Sequence, residues 1–283
     1  MALVAVALVV FVAAACGDDG GDDTPDQASV AETAAAEVRP FAEVQDGEMT
    51  FEADPSDPTR GIFRVTTTEP MICAIVWGPD EGFGRFNNTL DMNGTGTVQH
   101  DVFLPDVEPG MEYRYVVQGT TADGTLYRSE PGSFVIEASE REPDDATADR
   151  GDNVALGADV VEVSSEFSDA FAAANVIDGD TSTEWATSGD GDESFITLDL
   201  GSDHQLAGVE FVTRSMADGS SITDSYTLTV DDGDALGPFP AGTVADPQFA
   251  EIDASGRVLR FEVATSTGGN VGAVEIRAFS PTG

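Results

Sequence analysis

An all-β protein, built as two antiparallel β-sandwiches, is the architecture this sequence predicts, and three observations carry that expectation. Short apolar–polar alternations recur along the chain, as in Ile196-Thr197-Leu198-Asp199-Leu200, Tyr226-Thr227-Leu228-Thr229-Val230 and Leu259-Arg260-Phe261-Glu262-Val263, and a period of two is the signature of a strand with one buried face. Gly, Pro and Asp punctuate these runs, and neither helical periodicity nor a repeat of 20 to 50 residues accompanies them, which disfavours bundles, solenoids and propellers. A polar stretch, Ser139 to Arg150, divides the ordered part. It leaves segments of about 90 and about 130 residues, each large enough for its own core.

The chain opens on an unbroken apolar run, Ala2 to Ala15. At 1.5 Å per residue it spans about 21 Å, short of the roughly 30 Å hydrocarbon core of a bilayer. That length suits the apolar region of an export signal, and Ala13-Ala14-Ala15 directly before Cys16 resembles a bacterial lipobox. Residues 1–16 are thus expected to be a lipoprotein signal peptide ending at Cys16, the lipidated residue, although no Lys or Arg precedes the apolar run; the other reading is an ordinary signal peptide with an incidental cysteine. Residues 17–45 are rich in Asp, Ala, Gly and Thr and contain few large apolar side chains, so they are expected to be a disordered acidic tether. The expected location is the outer face of the cell membrane, with the membrane touched only through the lipid.

Composition narrows the partners. The 283 residues carry 53 acidic and 12 basic side chains for a net charge of −41, and every basic one is Arg. Such a surface repels phosphate backbones and anionic headgroups, so no nucleic-acid partner is expected. The acidity is open to two readings, genome composition or adaptation to salt. Two cysteines exclude a disulfide framework. Cys73 shares strand parity with Trp77 in Met71-Ile72-Cys73-Ala74-Ile75-Val76-Trp77 and reads as a small buried hydrophobe. His100 lies on an expected strand and reads as structural rather than as a ligand.

Residues 46–138 form the first expected sandwich. Trp77 ends an apolar strand, and Val107-Glu108-Pro109-Gly110-Met111-Glu112-Tyr113 follows some way downstream, with Asp123-Gly124 as the turn of a last hairpin. This pattern resembles the fibronectin type III family, and the resemblance implies that Tyr113 forms a tyrosine corner, its hydroxyl bonded to nearby backbone.

After a linker at 139–151, residues 152–283 hold the most informative segment. It runs through Asn153-Val154-Ala155, Val163-Ser164-Ser165-Glu166, Val176-Ile177-Asp178-Gly179-Asp180-Thr181-Ser182-Thr183-Glu184-Trp185, Ile196 to Gly201, and Gly256-Arg257-Val258-Leu259-Arg260-Phe261 with Val274-Glu275-Ile276. In order and spacing it resembles the discoidin, or F5/8 type C, family, a jelly-roll sandwich that includes carbohydrate-binding modules.

By residue type alone, Asp178 to Thr183 is an oxygen-rich turn around a glycine, open either to an Asx-type turn without metal or to Ca²⁺, which takes six to eight hard oxygen ligands. The resemblance implies a structural Ca²⁺ held by Asp178, Thr183 and Glu275, with Asp180 as a further candidate. Trp185 reads as core, the alternative being a sugar-stacking platform. Arg214 ends the strand Val209 to Arg214, where the resemblance implies that the ligand loop begins, and is the leading ligand-binding candidate. Met216, Phe167, Phe171 and Phe239 lie in Gly/Ser/Asp-rich loops and join it as ligand-contact candidates. Ser266 to Gly272 offers glycines in place of an aromatic side chain.

No nucleophile elbow, His cluster or phosphate loop occurs. The expected function is therefore a non-catalytic surface binding or adhesion lipoprotein. Its ligand would be an extracellular glycan, a cell-envelope polymer or a surface protein. The alternative is an accessory or spacer subunit of a secreted phosphatase or glycosidase system.

Overall fold

The computed structural model describes residues 38–89, 96–137 and 150–282, and among them the fold is all-β. Cys16, the signal peptide and most of the tether lie outside the described residues. The first sandwich comprises β1 Val38–Pro40, β2 Gln45–Ala53, β3 Gly61–Gly78, β4 Arg85–Asn88, β5 Thr97–Leu104, β6 Glu112–Thr121, β7 Leu126–Arg128 and β8 Gly132–Val135. Strand β3 organises it. Its first half pairs with β2 and β5, its second half with β4 and β6, and the register shifts between Thr66 and Met71. Parity survives that shift, so Phe63, Val65, Met71, Cys73, Ile75 and Trp77 all enter one core. Ile72, out of phase, is 49% exposed.

The aromatic content of that core is continuous. Trp77 meets Tyr113 edge-on at 5.2 Å, Tyr113 stacks on Phe134 at 5.4 Å, and Phe134 stacks on Phe51 at 4.1 Å. The Tyr113 hydroxyl accepts the Glu108 amide at 2.8 Å, which is the corner expected at that position. Burial pushes the Cys73 thiol up to about 12, so it behaves as a packed apolar group. Two expectations need correcting here. Phe41 is fully buried and Val44 nearly so, so the fold begins inside the stretch read as tether, because two apolar side chains suffice to anchor it. Nor is every pair antiparallel: β1 runs parallel to β7.

The second sandwich comprises β9 Asp159–Val163, β10 Trp185–Ala186, β11 Phe195–Thr213, β12 Ile222–Val230, β13 Leu236–Pro240, β14 Ala250–Thr267 and β15 Gly272–Phe279. The strand order is β10-β15-β11-β14-β12-β13, with β9 beside β11. The alternating run at 196–200 and the strand expected at 209–214 join in β11, which ends at Thr213, across a register shift between Asp199 and His204 where Gly201 adopts φ +80°. Trp185 is fully buried and donates its indole N–H to the Ser165 carbonyl at 2.9 Å, so it is core. The expected linker ends earlier than its assigned boundary at 151. Arg150 is ion-paired with the fully buried Glu210, which also meets Arg277 at 3.1 Å, and Asn153 Oδ1 accepts the Ala278 amide at 3.1 Å. These contacts join the start of this sandwich to its last strand.

The two sandwiches touch directly. Ser56, in the loop between β2 and β3, accepts the Ala245 amide at 3.0 Å through its carbonyl, and its hydroxyl lies 3.2 Å from that of Ser215. Arg64 pairs with Glu52 at 2.7 Å and Asp101 at 2.8 Å and donates to the Ala217 carbonyl at 3.3 Å.

His100 is 1% exposed, with Thr67 Oγ1 at 3.0 Å from one ring nitrogen and Thr89 Oγ1 at 3.3 Å from the other. Burial lowers its pKa from 6.5 to about 4. The unfolded chain therefore takes up this proton at a higher pH than the folded one, so the contribution to stability is full above pH 6.5 and is lost as pH falls toward 4. Its size is roughly 3 kcal/mol. Urea unfolding of His100→Asn is expected to show a shallower loss of stability across that interval than the parent protein; an identical slope would remove His100 as the cause.

Candidate ligand-binding site

Four loops converge at one end of the second sandwich: residues 164–171, 184–191, 214–221 and 266–271. Arg214 is their meeting point. Its guanidinium donates to Glu184 Oε1 at 2.7 Å and to the Asn270 carbonyl at 2.6 Å, and lies 5.8 Å from the Phe171 ring centre. The residue is 1% exposed. Expected to contact ligand, Arg214 lies beneath the loops, and its amino groups hold them together.

The other ligand candidates separate. Phe167 is 37% exposed and meets the half-buried Phe171 edge-on at 5.9 Å, so these two form an aromatic rim beside Arg214. Met216 begins a tight turn in which its amide donates to the Ser220 carbonyl at 2.9 Å and its carbonyl accepts the Gly219 amide at 2.8 Å. It lines a cleft facing the first sandwich. Phe239 does not join them. It lies on β13, 5.8 Å from Tyr226, and packs against the core, because strand alternation turns its ring inward although the flanking residues suggest a loop.

The glycine-rich loop before β15 is fastened by its own backbone. The Gly269 carbonyl accepts the Gly191 amide at 2.9 Å and the Thr187 hydroxyl at 3.2 Å. Gly268 adopts φ +94°, and a Cβ there would crowd the Ser221 amide at 3.2 Å. Close backbone packing is what these glycines provide.

At the side of the sandwich, the Asp178–Thr183 turn is joined to β15. Glu275 is 1% exposed and accepts the Gly179 amide at 2.8 Å; Asp178 accepts the Asp180 amide at 2.8 Å and the Thr183 hydroxyl at 2.8 Å. Burial, helped by the charge of Asp178, pushes Glu275 up to about 7 against the pull of the Gly179 amide and Arg277. Asp180 is different. Its carboxylate takes the Ser182 hydroxyl at 2.6 Å and amide at 2.9 Å, and those bonds hold it below the usual carboxylate range. That carboxylate oxygen is thus taken up within the turn itself. Among the described residues no group of three or more acidic, His or Cys side chains is placed to hold a metal. What faces the turn is two carboxylates and one hydroxyl, with Arg277 lying 3.6 Å from the second oxygen of Glu275.

These loops sit on a segment with a recognisable family signature. Residues 160–276 match the F5/8 type C domain. No curated protein matches the chain. Among solved structures, SpGH29 is similar at 22% identity and a TM-score of 0.38, over 46% of this chain and 28% of that one. Chitosan-binding module 1 of the chitosanase/glucanase from Paenibacillus sp. IK-5 is similar at 21% identity and a TM-score of 0.34, over 45% of this chain and 98% of that one. The family 32 CBM from C. perfringens NanJ, solved in complex with galactose, is similar at 15% identity and a TM-score of 0.36, covering 41% and 90% respectively. The F5/8 type C match encloses Arg214 and all four converging loops; the first sandwich lies outside it.

Replacing Arg214 leaves Glu184 and the Asn270 carbonyl without a shared donor at a buried position. Arg214→Ala is expected to destabilise the protein by roughly 2–4 kcal/mol. Arg214→Lys should restore little, since a single ammonium does not reproduce the forked guanidinium. Thermal unfolding checks both, and a melting temperature unchanged in Arg214→Ala would contradict the latch.

Proposed function

We propose that this protein is a non-catalytic surface lipoprotein whose F5/8 type C region binds an extracellular carbohydrate. The observation that carries this reading is the match of residues 160–276 to that domain, with four loops gathered at one end of the sandwich. The exposed Phe167 and its neighbour Phe171 supply the apolar ring faces on which the C–H surface of a sugar packs. They make up for the lack of an aromatic side chain in the Gly268–Asn270 loop.

Ca²⁺ is proposed as a structural ion held by Asp178, Thr183 and Glu275 together with backbone carbonyls. It would add to the Gly179–Glu275 hydrogen bond in fastening the turn to β15, without entering any reaction. For the first sandwich, a fibronectin type III-like spacer is supported by the Tyr113–Glu108 corner and the buried Trp77. Anchoring through Cys16 would place the assembly at the outer face of the membrane.

A carbohydrate and cell-envelope polymer array probed with the whole chain, with calcium and after chelation, tests the reading. Expected are binding to at least one glycan, its weakening in Phe167→Ala, and a lower melting temperature after chelation. A blank array would sink the carbohydrate reading, and a melting curve indifferent to chelation would remove the ion. Separately, Cys16→Ser is expected to move the protein from the membrane fraction to the soluble fraction on cell fractionation; retention in the membrane would rule out the lipid anchor.

A further inference from the structure

Between the two sandwiches lies a cleft of about 720 Å³. One wall is the ligand-loop end of the F5/8 type C region, with Met216, Asp218, Ser220 and the Gly268–Asn270 loop. The opposite wall belongs to the first sandwich: Phe86 on β4, and Gln99 and Asp101 on β5. From these facing walls we infer that the carbohydrate site is composite, with the first sandwich providing a stacking face and hydrogen-bonding groups for an oligosaccharide that carries no acidic group. This deepens the carbohydrate reading above and rests on it.

Four observations support the assignment. Phe86 is 66% exposed, a large apolar ring left at the cleft although its strand neighbour Arg85 stacks over Trp77. A hydrophobic side chain standing open to water beside polar groups is the arrangement that suits a ring with one C–H face and a hydroxyl rim. Gln99 is exposed, and a primary amide both donates and accepts, as sugar hydroxyls require.

Charge sets the ligand class. Among the described residues that line the cleft none is Arg or His, whereas Asp101 and Asp218 both belong to it. Burial raises the Asp101 carboxyl, Arg64 pulls it back, and the charge of Asp218 adds to the rise. With Arg64 already shared between Asp101 and Glu52, a uronate or sialate would meet an excess of negative charge in the cleft, while neutral sugars and amino sugars would not.

Preorganisation comes from the contacts already described. Arg64 holds Asp101 at 2.8 Å and reaches across to the Ala217 carbonyl at 3.3 Å, next to Met216 and Asp218. Ser56 and Ser215 meet at 3.2 Å and the Ala245 amide reaches the Ser56 carbonyl at 3.0 Å. The walls therefore face each other in a set geometry, and little ordering is left for the ligand to drive.

The test is isothermal titration of the whole chain with galacto-, cello- and chito-oligosaccharides from monomer to hexamer, and with oligogalacturonate as the anionic probe. For a non-anionic series that binds, affinity should rise beyond the monomer, and Phe86→Ala and Gln99→Ala should weaken the longer members, Phe86→Ala by about tenfold as for truncation of an aromatic anchor. Thermal unfolding of both variants should match the parent, since both side chains are exposed. Binding that responds to Phe167→Ala but not to Phe86→Ala or Gln99→Ala would overturn the composite site and leave the carbohydrate reading standing. Preference for oligogalacturonate would overturn the ligand class. Absence of binding to every probe would overturn both readings together.

Discussion

Arg214 is the interaction on which one end of the second sandwich depends. One guanidinium, nearly sealed from solvent, joins the turn before Trp185, the end of β11 and the loop before β15 through Glu184 and the Asn270 carbonyl. Loops lacking regular pairing pay conformational entropy for any fixed shape, and a planar five-donor side chain recovers part of that by satisfying several acceptors at once. The rim of Phe167 and Phe171, the turn at Met216 and the glycine loop all take their positions from groups that touch this residue or adjoin it.

The same logic runs through the chain's charge. With 53 acidic side chains and only 12 arginines, cations are scarce. Arg60, Arg64, Arg150, Arg214, Arg257, Arg260 and Arg277 each pair with a carboxylate. Several of these pairs are exposed and contribute little to stability. Those at Glu210 and Glu184 are not, because removing one partner would strand a charge out of water. Committing the arginines to such roles leaves the described lining of the cleft without a cation, so the global composition reaches down to the chemistry of a single cavity.

Contact between the sandwiches changes what each can do. A spacer need only hold its neighbour at a distance. Here the β2–β3 loop meets the second sandwich at Ser215 and Ala245, and β4 and β5 supply the facing wall of a cleft. The F5/8 type C region and the first sandwich thus share a surface that neither possesses alone. Hydrogen bonds with one ion-paired arginine dominate the described contacts, as is common where domains of one chain meet.

Much of the fold was legible in the sequence because strand alternation is a local property. The parity of Cys73 and Trp77, the Tyr113 corner and the core placement of Trp185 follow from period two and from short motifs. The start at Phe41 was not legible, since burial of one ring depends on a distant core. For the site, sequence located the loops but not the directions of their side chains. Phe239 turned inward on a strand, Asp180 turned to Ser182, and Arg214 went beneath the loops. Phe86 and Gln99 carried no signal at all, because their relevance arises only where two sandwiches face each other. Alternation and turn chemistry act over a few residues and so are written in the sequence; which side chains share a cleft depends on packing between distant elements, and only the tertiary structure decided it.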